Sequence, residues 1–499
     1  MDQATVVLHT DFQIGEVDAR IYGGFIEHLG RGIYGGLYDP TSALADENGF
    51  RRDVLAALGR LRFTAMRYPG GNFVSGYHWE DGIGPKAARP TTLEMAWRTI
   101  EPNLFGTDEF MKMAELANWS PMVAVNLGTG SPEEARNWVE YCNAPVGTQY
   151  ADRRQQNGHS QPYGVRLWCL GNEMDGPWQM GHVPAEHYAI RAQQAAHMMK
   201  RTDPAIELVA AGSSGNMLPT YIEWDQQVLE YLGEAADYIS LHRYVGNPQG
   251  DTANYLGVTA AIDRQIEEID AVCRMVQAKR RSPKRAYLAF DEWNVWYRTQ
   301  DSIHTASKAF PRPINEERYN LEDALVIAGF LNSFIRHADV VKIANLAQVV
   351  NVGAPILVDG DRLLTQTNFF ALEMFAKRRG GISLWPVVTG PGYATRDYGE
   401  ARLIDASAIL GEGVLHVFLV NRGREGTQAV TVELFGHHLV GIESAEILTG
   451  PGPEAMNTFD QPDLVVSRPL SSVEVEPGRA RLALPPLSLA AITFKVAGH

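Results

Sequence analysis

The feature that most constrains the fold is an alternation of short apolar runs with longer amphipathic stretches between residues 18 and 384. Such alternation is typical of parallel βα units, in which each strand is followed by a helix. The apolar runs that qualify as strands lie at residues 20–26, 63–67, 122–126, 165–170, 207–211, 238–242, 286–290 and 341–348. Eight strands followed by helices predict a closed (β/α)8 TIM barrel rather than an open doubly wound sheet.

Helix start signals lie between these strands. Ser131 and Pro132, followed by two glutamates, predict a helix start, because the serine can cap the helix and proline fits its first turn. Pro184 predicts a second start, and a third is predicted just after Asn315. These signals support helices in the positions that a barrel requires.

From about residue 383 the pattern changes to alternating strands separated by Gly, Pro and Asn clusters. This all-β pattern predicts a sandwich domain of jelly-roll type. Residues 5–9 also read as a strand, and chain ends often lie close together, so we expect this strand to join the sandwich. The predicted domains are a catalytic barrel at 18–384 and a sandwich formed by 1–17 and 385–499.

Composition narrows the classes of function. The 499 residues include 44 Lys and Arg against 59 Asp and Glu, a net charge of -15. Such a charge disfavours nucleic acid and anionic membrane partners. The N-terminus lacks a signal-peptide pattern and no apolar run is long enough for a membrane span, so a cytoplasmic location is expected. The three scattered cysteines, Cys142, Cys169 and Cys273, do not form a disulfide or zinc pattern.

Two acidic side chains follow apolar strand candidates directly. Glu173 comes after the fourth strand candidate and Glu292 after the seventh. Catalytic groups of such barrels sit at the carboxyl ends of strands, and a pair of carboxylates there suits glycoside hydrolysis, in which one protonates the leaving oxygen while the other attacks carbon or directs water. Either glutamate alone could be a structural ion-pair partner, but the pair favours chemistry.

Several long motifs, in order along nearly the whole chain, resemble those of the intracellular α-L-arabinofuranosidases of glycoside hydrolase family 51. They are FIEHLGR at 25–31, RYPGGN at 67–72, EPNLFG at 101–106, GNEMDGPWQ at 171–179, SLHRY at 240–244 and DEWNVW at 291–296. The resemblance implies a retaining mechanism with Glu173 as general acid/base and Glu292 as nucleophile. It implies as partners arabinose-containing oligosaccharides from arabinan or arabinoxylan, and a homo-oligomer, namely a hexamer.

The resemblance also implies a set of residues around the sugar. Those that would hold arabinofuranose hydroxyls are Glu27, Arg67, Asn72, Asn172 and Gln348, and those that would position the catalytic carboxylates are His242 and Tyr244. Tryptophans close to the catalytic segments could stack on the leaving group, namely Trp97, Trp178 and Trp296. Each of these residues could instead be buried structure: a hydrogen-bond partner of the backbone, or core in the case of tryptophan.

Neither a metal nor a cofactor is predicted. His182 and His187 are five residues apart rather than the four of a zinc-binding helix, and no Cys-x-x-Cys or phosphate-binding Gly-Lys-Ser/Thr loop is present. The alternatives left open are a β-xylosidase or endo-glucanase on the same barrel, and a non-catalytic carbohydrate-binding barrel, because fold and catalytic pair do not fix the sugar.

Overall fold

A computed structural model describes residues 3–498 and contains the predicted barrel as eight parallel strands closed into a ring. In chain order the strands are β1 (Gly23–Phe25), β2 (Ala65–Tyr68), β3 (Ser120–Ala124), β4 (Leu167–Leu170), β5 (Glu207–Ala210), β6 (Tyr238–Val245), β7 (Tyr287–Val295) and β8 (Val341–Ala347). Each pairs with its neighbours in sequence, and β8 pairs with β1 through Ala347 and Phe25. The predicted TIM barrel is therefore confirmed.

A helix follows every strand of the ring. These helices are Arg52–Leu61, Thr107–Ala117, Pro132–Asn143, Ala185–Thr202, Glu223–Leu232, Thr259–Arg280, Leu321–Arg336 and Thr367–Ala376. Shorter helices at Gln149–Gln156, Thr252–Leu256 and Ser302–Thr305 lie in connecting segments. Among residues 3–498, no helix is both long and apolar enough to cross a membrane.

Two of the three predicted helix starts are where the sequence signals placed them. The Ser131 side chain accepts a hydrogen bond from Glu134 N at 3.1 Å, and Pro184 caps the helix that begins at Ala185. The third helix is present but begins later than the Asn315 signal, at Leu321, because Asn320 forms the reciprocal cap with Asp323.

Strand β7 is longer than its sequence candidate, which ended at Phe290. It continues to Val295, so Glu292 lies within the strand instead of after it. The pairing of β7 with β6 shifts register between Ser240 and His242, after which His242 lies beside Glu292. The irregularity allows the end of β7 to stay paired while it carries polar side chains.

Six of the remaining strands form three short antiparallel pairs, Thr92–Glu94 with Thr99–Glu101, Ile356–Asp359 with Arg362–Thr365, and Gly392–Ala394 with Glu400–Arg402. The others form two larger sheets that face each other. The five-stranded sheet has the order Val387–Thr389, Ala4–His9, Gln428–Phe435, Arg479–Leu484, Val473–Glu476. The seven-stranded sheet has the order Gln13–Glu16, Ile382–Leu384, Ile404–Leu410, Val414–Asn421, Ser488–Gly498, His437–Leu448, Arg468–Pro469. The two sheets share one apolar core, which confirms the predicted sandwich.

The first strand of the chain belongs to this sandwich. Ala4–His9 runs parallel to Gln428–Phe435 and antiparallel to Val387–Thr389. Ile382–Leu384, which precedes the predicted boundary at residue 385, already pairs within the seven-stranded sheet. Residues 1, 2 and 499, which were assigned to the sandwich domain, lie outside the described residues.

The sandwich packs against the last two barrel helices. Phe375 stacks on Phe418 with ring centroids 4.0 Å apart and an interplanar angle of 5°. Arg336 of the preceding helix bonds Asp405 at 3.1 Å, and Asn332 bonds the same carboxylate at 2.8 Å. The cavity at the carboxyl ends of the barrel strands is lined by residues between Glu27 and Gly353, all from the barrel part of the chain.

Candidate active site

A cavity of about 380 Å³ lies at the carboxyl ends of the barrel strands, within the ~300–1,000 Å³ usual for small-molecule sites. Its lining comes from many separate segments of the chain, namely Glu27, Leu29, Gly71, Asn72, Trp97, Glu173, Trp178, Tyr244, Glu292, Trp296, Asn315, Ala347, Gln348, Val352 and Gly353. Aromatic rings and carboxyl groups therefore face one another across one enclosed volume.

Glu292 is the most firmly held carboxylate of the cavity. Its Oε1 accepts a hydrogen bond from Arg67 Nη1 at 2.7 Å, and its Oε2 accepts one from the Tyr244 hydroxyl at 2.9 Å. The second amino group of Arg67 donates to Asn172 Oδ1 at 2.7 Å, which fixes the plane of the guanidinium. These donors keep the Glu292 carboxyl group in one orientation, as a nucleophile requires.

Glu173 lies opposite, three residues after the end of β4, where its backbone has a φ of 47°. Its Oε2 accepts a hydrogen bond from Trp178 Nε1 at 2.6 Å, and His242 Nδ1 lies 3.0 Å from Oε1. One carboxylate oxygen of Glu173 and one of Glu292 lie within 4.8 Å of each other. Retaining glycosidases hold their two carboxyl groups about 5–5.5 Å apart, whereas inverting enzymes need roughly 6.5–9.5 Å.

His242 connects Glu173 to a further acidic group that does not line the cavity. Its Nε2 lies 3.2 Å from Asp291 Oδ1, and the other oxygen of Asp291 forms an ion pair with Arg67 Nε at 3.2 Å. Burial alone would lower the pKa of His242, but the charges of Glu292 and Asp291 raise it well above its usual value. A cationic imidazole therefore lies among the acidic groups of the site.

Glu27 forms another buried part of the wall. Its Oε1 accepts hydrogen bonds from Phe73 N at 3.0 Å and Trp97 Nε1 at 3.1 Å, and its Oε2 faces Gln348 Nε2 at 3.2 Å. Burial, followed by the charge of Glu292, raises the pKa of Glu27 to about 8. A protonated Glu27 can donate to a sugar hydroxyl as well as accept from one.

The predicted site residues converge, but they form two layers. Those that line the cavity are Glu27, Asn72, Trp97, Glu173, Trp178, Tyr244, Glu292, Trp296 and Gln348. Arg67, Asn172 and His242 lie behind the lining and contact it through the two glutamates or Asn72, as in the 3.5 Å contact from Asn172 Nδ2 to Asn72 Oδ1. Their contacts therefore support the carboxylates and the lining.

Sequence reasoning missed other members of the site. Leu29, Asn315, Val352 and Gly353 line the cavity, and Asp291 supports it from behind. Asp291 could have been predicted from the sequence, because it directly precedes the nucleophile candidate at the end of an apolar strand. The others lie in loops, where neither periodicity nor strand ends point to a cavity.

Among the described residues, one group of side chains has potential metal-ligating atoms close together, namely Glu173, His242 and Glu292. In the structure His242 Nδ1 faces both glutamates, at 3.0 Å from Glu173 and 3.7 Å from Glu292. A protonated imidazole makes the same contacts as a donor, so the geometry is accounted for by hydrogen bonds and charge.

Two facing carboxyl groups at the carboxyl end of a (β/α)8 barrel, one held by cationic and hydroxyl donors and the other open to the cavity, define the class of this protein as a glycoside hydrolase. Comparison with known proteins agrees. Residues 57–258 match the α-L-arabinofuranosidase 1 domain model, and residues 291–488 match the α-L-arabinofuranosidase C-terminal domain model.

Individual relatives cover nearly the whole chain. The intracellular exo-α-(1→5)-L-arabinofuranosidase 1 of Bacillus subtilis (strain 168) is 43% identical over 93% of this chain and 94% of its own length. The exo-α-(1→6)-L-arabinofuranosidase of Bifidobacterium longum is 38% identical, with 99% and 98% covered. The structure of a family 51 α-L-arabinofuranosidase from Bifidobacterium longum superposes with a TM-score of 0.95 at 35% identity, covering 99% of this chain and 100% of that one. The chain belongs to the α-L-arabinofuranosidases of glycoside hydrolase family 51.

Proposed function

We propose that this protein releases terminal α-L-arabinofuranosyl groups from arabinose-containing oligosaccharides by double displacement, with Glu292 as nucleophile and Glu173 as general acid/base. The observation that carries the proposal is the separation of at most 4.8 Å between an oxygen of each glutamate across one cavity. At this separation a sugar fits between the carboxyl groups without an additional water, which is the geometry of retention.

The proposed reaction has two balanced steps. A Glu292 oxygen bonds to the anomeric carbon while the bond from that carbon to the glycosidic oxygen breaks, and the proton of Glu173 passes to the leaving oxygen. Water then attacks the anomeric carbon and gives a proton to Glu173, and the bond to Glu292 breaks. Arabinose leaves with its original anomeric configuration, and both carboxyl groups return to their starting states.

Around the sugar, we assign hydroxyl binding to Glu27, Asn72 and Gln348, which line the cavity. Arg67 and Asn172 would act through the lining residues that they contact, and His242 and Tyr244 through the carboxylates. Three tryptophans at the cavity are suited to stack on the sugar or the leaving group, namely Trp97, Trp178 and Trp296.

The exo mode and the substrate class rest on the relatives. Relatives are named as exo-acting on α-(1→5) or α-(1→6) arabinofuranosyl linkages. We infer the same exo mode here, acting on oligosaccharides derived from arabinan or arabinoxylan. Parallel assays on (1→5)- and (1→6)-linked arabinobiosides would assign the linkage.

Retention is tested by following an aryl α-L-arabinofuranoside by proton NMR from the first turnover. We expect the α-anomer of arabinose to form first and the β-anomer to grow only by mutarotation. First release of the β-anomer would refute the double displacement. In a parallel assay with an aryl β-D-xyloside, cleavage of the xyloside alone would favour the β-xylosidase alternative.

The non-catalytic alternative is tested with Glu292→Ala. We expect turnover to fall by at least ~10³-fold, because removal of a nucleophile that acts together with its partner group abolishes most of the rate enhancement. Turnover at the unsubstituted rate would refute the role of Glu292, and absence of turnover in the unsubstituted protein would favour a carbohydrate-binding barrel.

Location, assembly and domain limits are part of the same proposal. We propose a cytoplasmic enzyme, supported by the word intracellular in the names of relatives, and a hexamer, supported by family resemblance. Multi-angle light scattering of the purified protein tests the hexamer. Limited proteolysis tests the proposed domain limits, 18–384 for the barrel and 1–17 with 385–499 for the sandwich.

A further inference from the structure

The imidazole of His242 lies between two carboxylates that it contacts through different ring nitrogens. Nδ1 is 3.0 Å from Glu173 Oε1, and Nε2 is 3.2 Å from Asp291 Oδ1. The side chains of His242 and Asp291 are each only 1% exposed, so both are shielded from bulk solvent. The contact between His242 and Asp291 is therefore a buried one within the site.

The charges around His242 decide its protonation state. An imidazolium donates to both carboxylates, whereas a neutral imidazole can make both contacts only if Glu173 donates its own proton to Nδ1. The charges of Glu292 and Asp291 raise the pKa of His242 well above its usual value, which favours the imidazolium. The two cations of the site, His242 and Arg67, lie among acidic groups on several elements. The titratable groups that face this cluster are Glu27, Cys169, Glu173, Asp175, Tyr244, Asp291 and Glu292.

Asp291 is suited to hold the proton on His242 permanently. Burial alone would raise the pKa of Asp291, but the charges of Arg67 and His242 hold it below its usual value. Unlike Glu173 and Glu292, Asp291 does not line the cavity, so its charge does not change when sugar is bound or esterified. It provides a constant negative charge on the side of His242 away from the reaction.

The contact on the other ring nitrogen distinguishes the two oxygens of Glu173. The Nδ1–H of His242 points at Oε1, so the transferable proton of Glu173 belongs on Oε2, the oxygen that Trp178 also contacts. When Glu173 is protonated, two cations, His242 and Arg67, balance two anions, Asp291 and Glu292. Esterification of Glu292 removes one of these anions, and the remaining excess of positive charge favours an ionised Glu173.

We propose that Asp291 is a positioning residue that keeps His242 doubly protonated, so that His242 directs the transferable proton of Glu173 to Oε2 and stabilises the Glu173 anion while the ester is hydrolysed. The inference rests on the proposed function of the two glutamates. In the first step the Oε2 proton passes to the glycosidic oxygen, and in the second Oε2 takes a proton from the attacking water. His242 keeps both its protons throughout.

The test is Asp291→Asn, which keeps the size and one oxygen acceptor but removes the charge. With a dinitrophenyl arabinofuranoside the leaving group needs no proton, so kcat/KM reports ester formation and kcat reports ester hydrolysis. We expect kcat to fall about 10- to 100-fold while kcat/KM changes less than about threefold. The kcat of the variant should recover as the pH is lowered, because His242 regains its proton; that of the unsubstituted enzyme should not.

Azide provides a readout that structural damage would not give. Azide attacks the anomeric carbon of the ester without needing a general base, and the bond to Glu292 breaks as arabinosyl azide forms. We expect azide to restore the kcat of Asp291→Asn. His242→Gln, which keeps a donor but not a charge, should behave in the same way, and the double variant should be no slower than the slower single variant.

Asp225→Asn is the matched control, since Asp225 is fully buried but bonds Ser213 and makes no contact with the catalytic cluster. Asp225→Asn should show no selective loss of kcat, no recovery at low pH and no rescue by azide. An equal loss of kcat and kcat/KM in Asp291→Asn and His242→Gln, with an unchanged pH profile and no effect of azide, would overturn the inference. Failure of the proposed function is seen separately, as turnover that survives Glu292→Ala.

Discussion

The indole nitrogen of Trp178 donates to Glu173 Oε2 at 2.6 Å although 52% of the Trp178 side chain is exposed. The same indole lines the cavity next to the carboxyl group that would protonate the leaving oxygen. A surface aromatic residue thus bonds directly to the acid/base candidate. Its contribution to the reaction can be separated from its contribution to stacking.

Trp178→Phe tests this relationship. Phenylalanine keeps an aromatic face but loses the N–H donor, and a hydrogen bond to a charged group contributes ~1.5–3 kcal/mol. We expect kcat/KM to fall roughly 10-fold for a poor leaving group and less for dinitrophenol. The control is Trp385→Phe on the sandwich, where the side chain is 59% exposed. Equal effects on both leaving groups would contradict a role in proton transfer.

Gly106 permits a close approach of two loops that Ala would prevent. A Cβ at this position would overlap the carbonyl oxygen of Gly82, which belongs to the backbone and cannot easily move. We expect Gly106→Ala to destabilise the fold by about 2–4 kcal/mol, measured by urea unfolding. Gly59→Ala is the control, because its Cβ meets nothing within 4 Å in the helix Arg52–Leu61 and alanine should stabilise that helix.

Glu27 should make the fold less stable as the pH rises. Its pKa in the folded protein is about 8, against an ordinary value of 4.5, because of burial and the charge of Glu292. Between these values the folded state holds a proton that the unfolded chain has released, so stability is full below pH 4.5 and falls as pH approaches 8. At ~1.4 kcal/mol per pH unit the loss amounts to a few kcal/mol.

Glu27→Gln should flatten that dependence, which urea unfolding at several pH values would measure. The exposed Glu412, in the turn after Ile404–Leu410, provides the control substitution Glu412→Gln. An identical slope in Glu27→Gln and the unsubstituted protein would argue against a buried, protonated Glu27. The same variant should bind arabinose more weakly if Glu27 holds a sugar hydroxyl.

His416 of the sandwich should limit stability in acid. Burial, followed by the charge of Arg378, lowers its pKa to about 4 from the usual 6.5. Between these values the unfolded chain binds a proton that the folded protein does not, so stability is full above pH 6.5 and is lost as pH falls towards 4. In the folded state the ring contacts Thr493 Oγ1 at 3.0 Å.

His416→Gln keeps a hydrogen-bonding group towards Thr493 but does not titrate. We expect it to reduce the fall in melting temperature between pH 7 and pH 4.5, as followed by scanning calorimetry. His187→Gln on the exposed face of the helix Ala185–Thr202 is the comparison. If both variants lose stability in acid as the unsubstituted protein does, His416 is not the group responsible.

The barrel was predictable because its signal is repeated eight times. Each barrel strand overlaps its sequence candidate, although the ends differ, as at β1, where residues 19–22 form a 3-10 helix instead of the start of the strand. The extension of β7 to Val295 could not be read from periodicity, since Asp291, Glu292 and Asn294 interrupt the apolar run. Tertiary pairing, with an extra residue in β7 opposite Ser240–His242 of β6, decides that boundary.

The site was predictable where strand ends carry it, and not where loops do. Glu173 and Glu292 were singled out because each follows an apolar strand candidate, and both line the cavity. Their roles, and those of the supporting residues taken from family motifs, stay predictions. Three of the predicted residues, Arg67, Asn172 and His242, lie behind the cavity wall. Whether a side chain lines the cavity or lies behind it depends on tertiary packing, which the local sequence does not encode. Asn315 illustrates the limit: it reads as a helix start, but with a φ of 55° it lines the cavity.

The insertion of Ala4–His9 between Val387–Thr389 and Gln428–Phe435 constrains how the chain can acquire its structure during synthesis. During synthesis Ala4–His9 cannot pair with Gln428–Phe435 until that strand has left the ribosome, and the sheet is complete only after Val473–Glu476 and Arg479–Leu484 have followed. The early strand must wait, unpaired with its final neighbours, while the barrel is being made. Assembly of the sandwich is therefore a late event that joins Ala4–His9 to strands made only after the whole barrel.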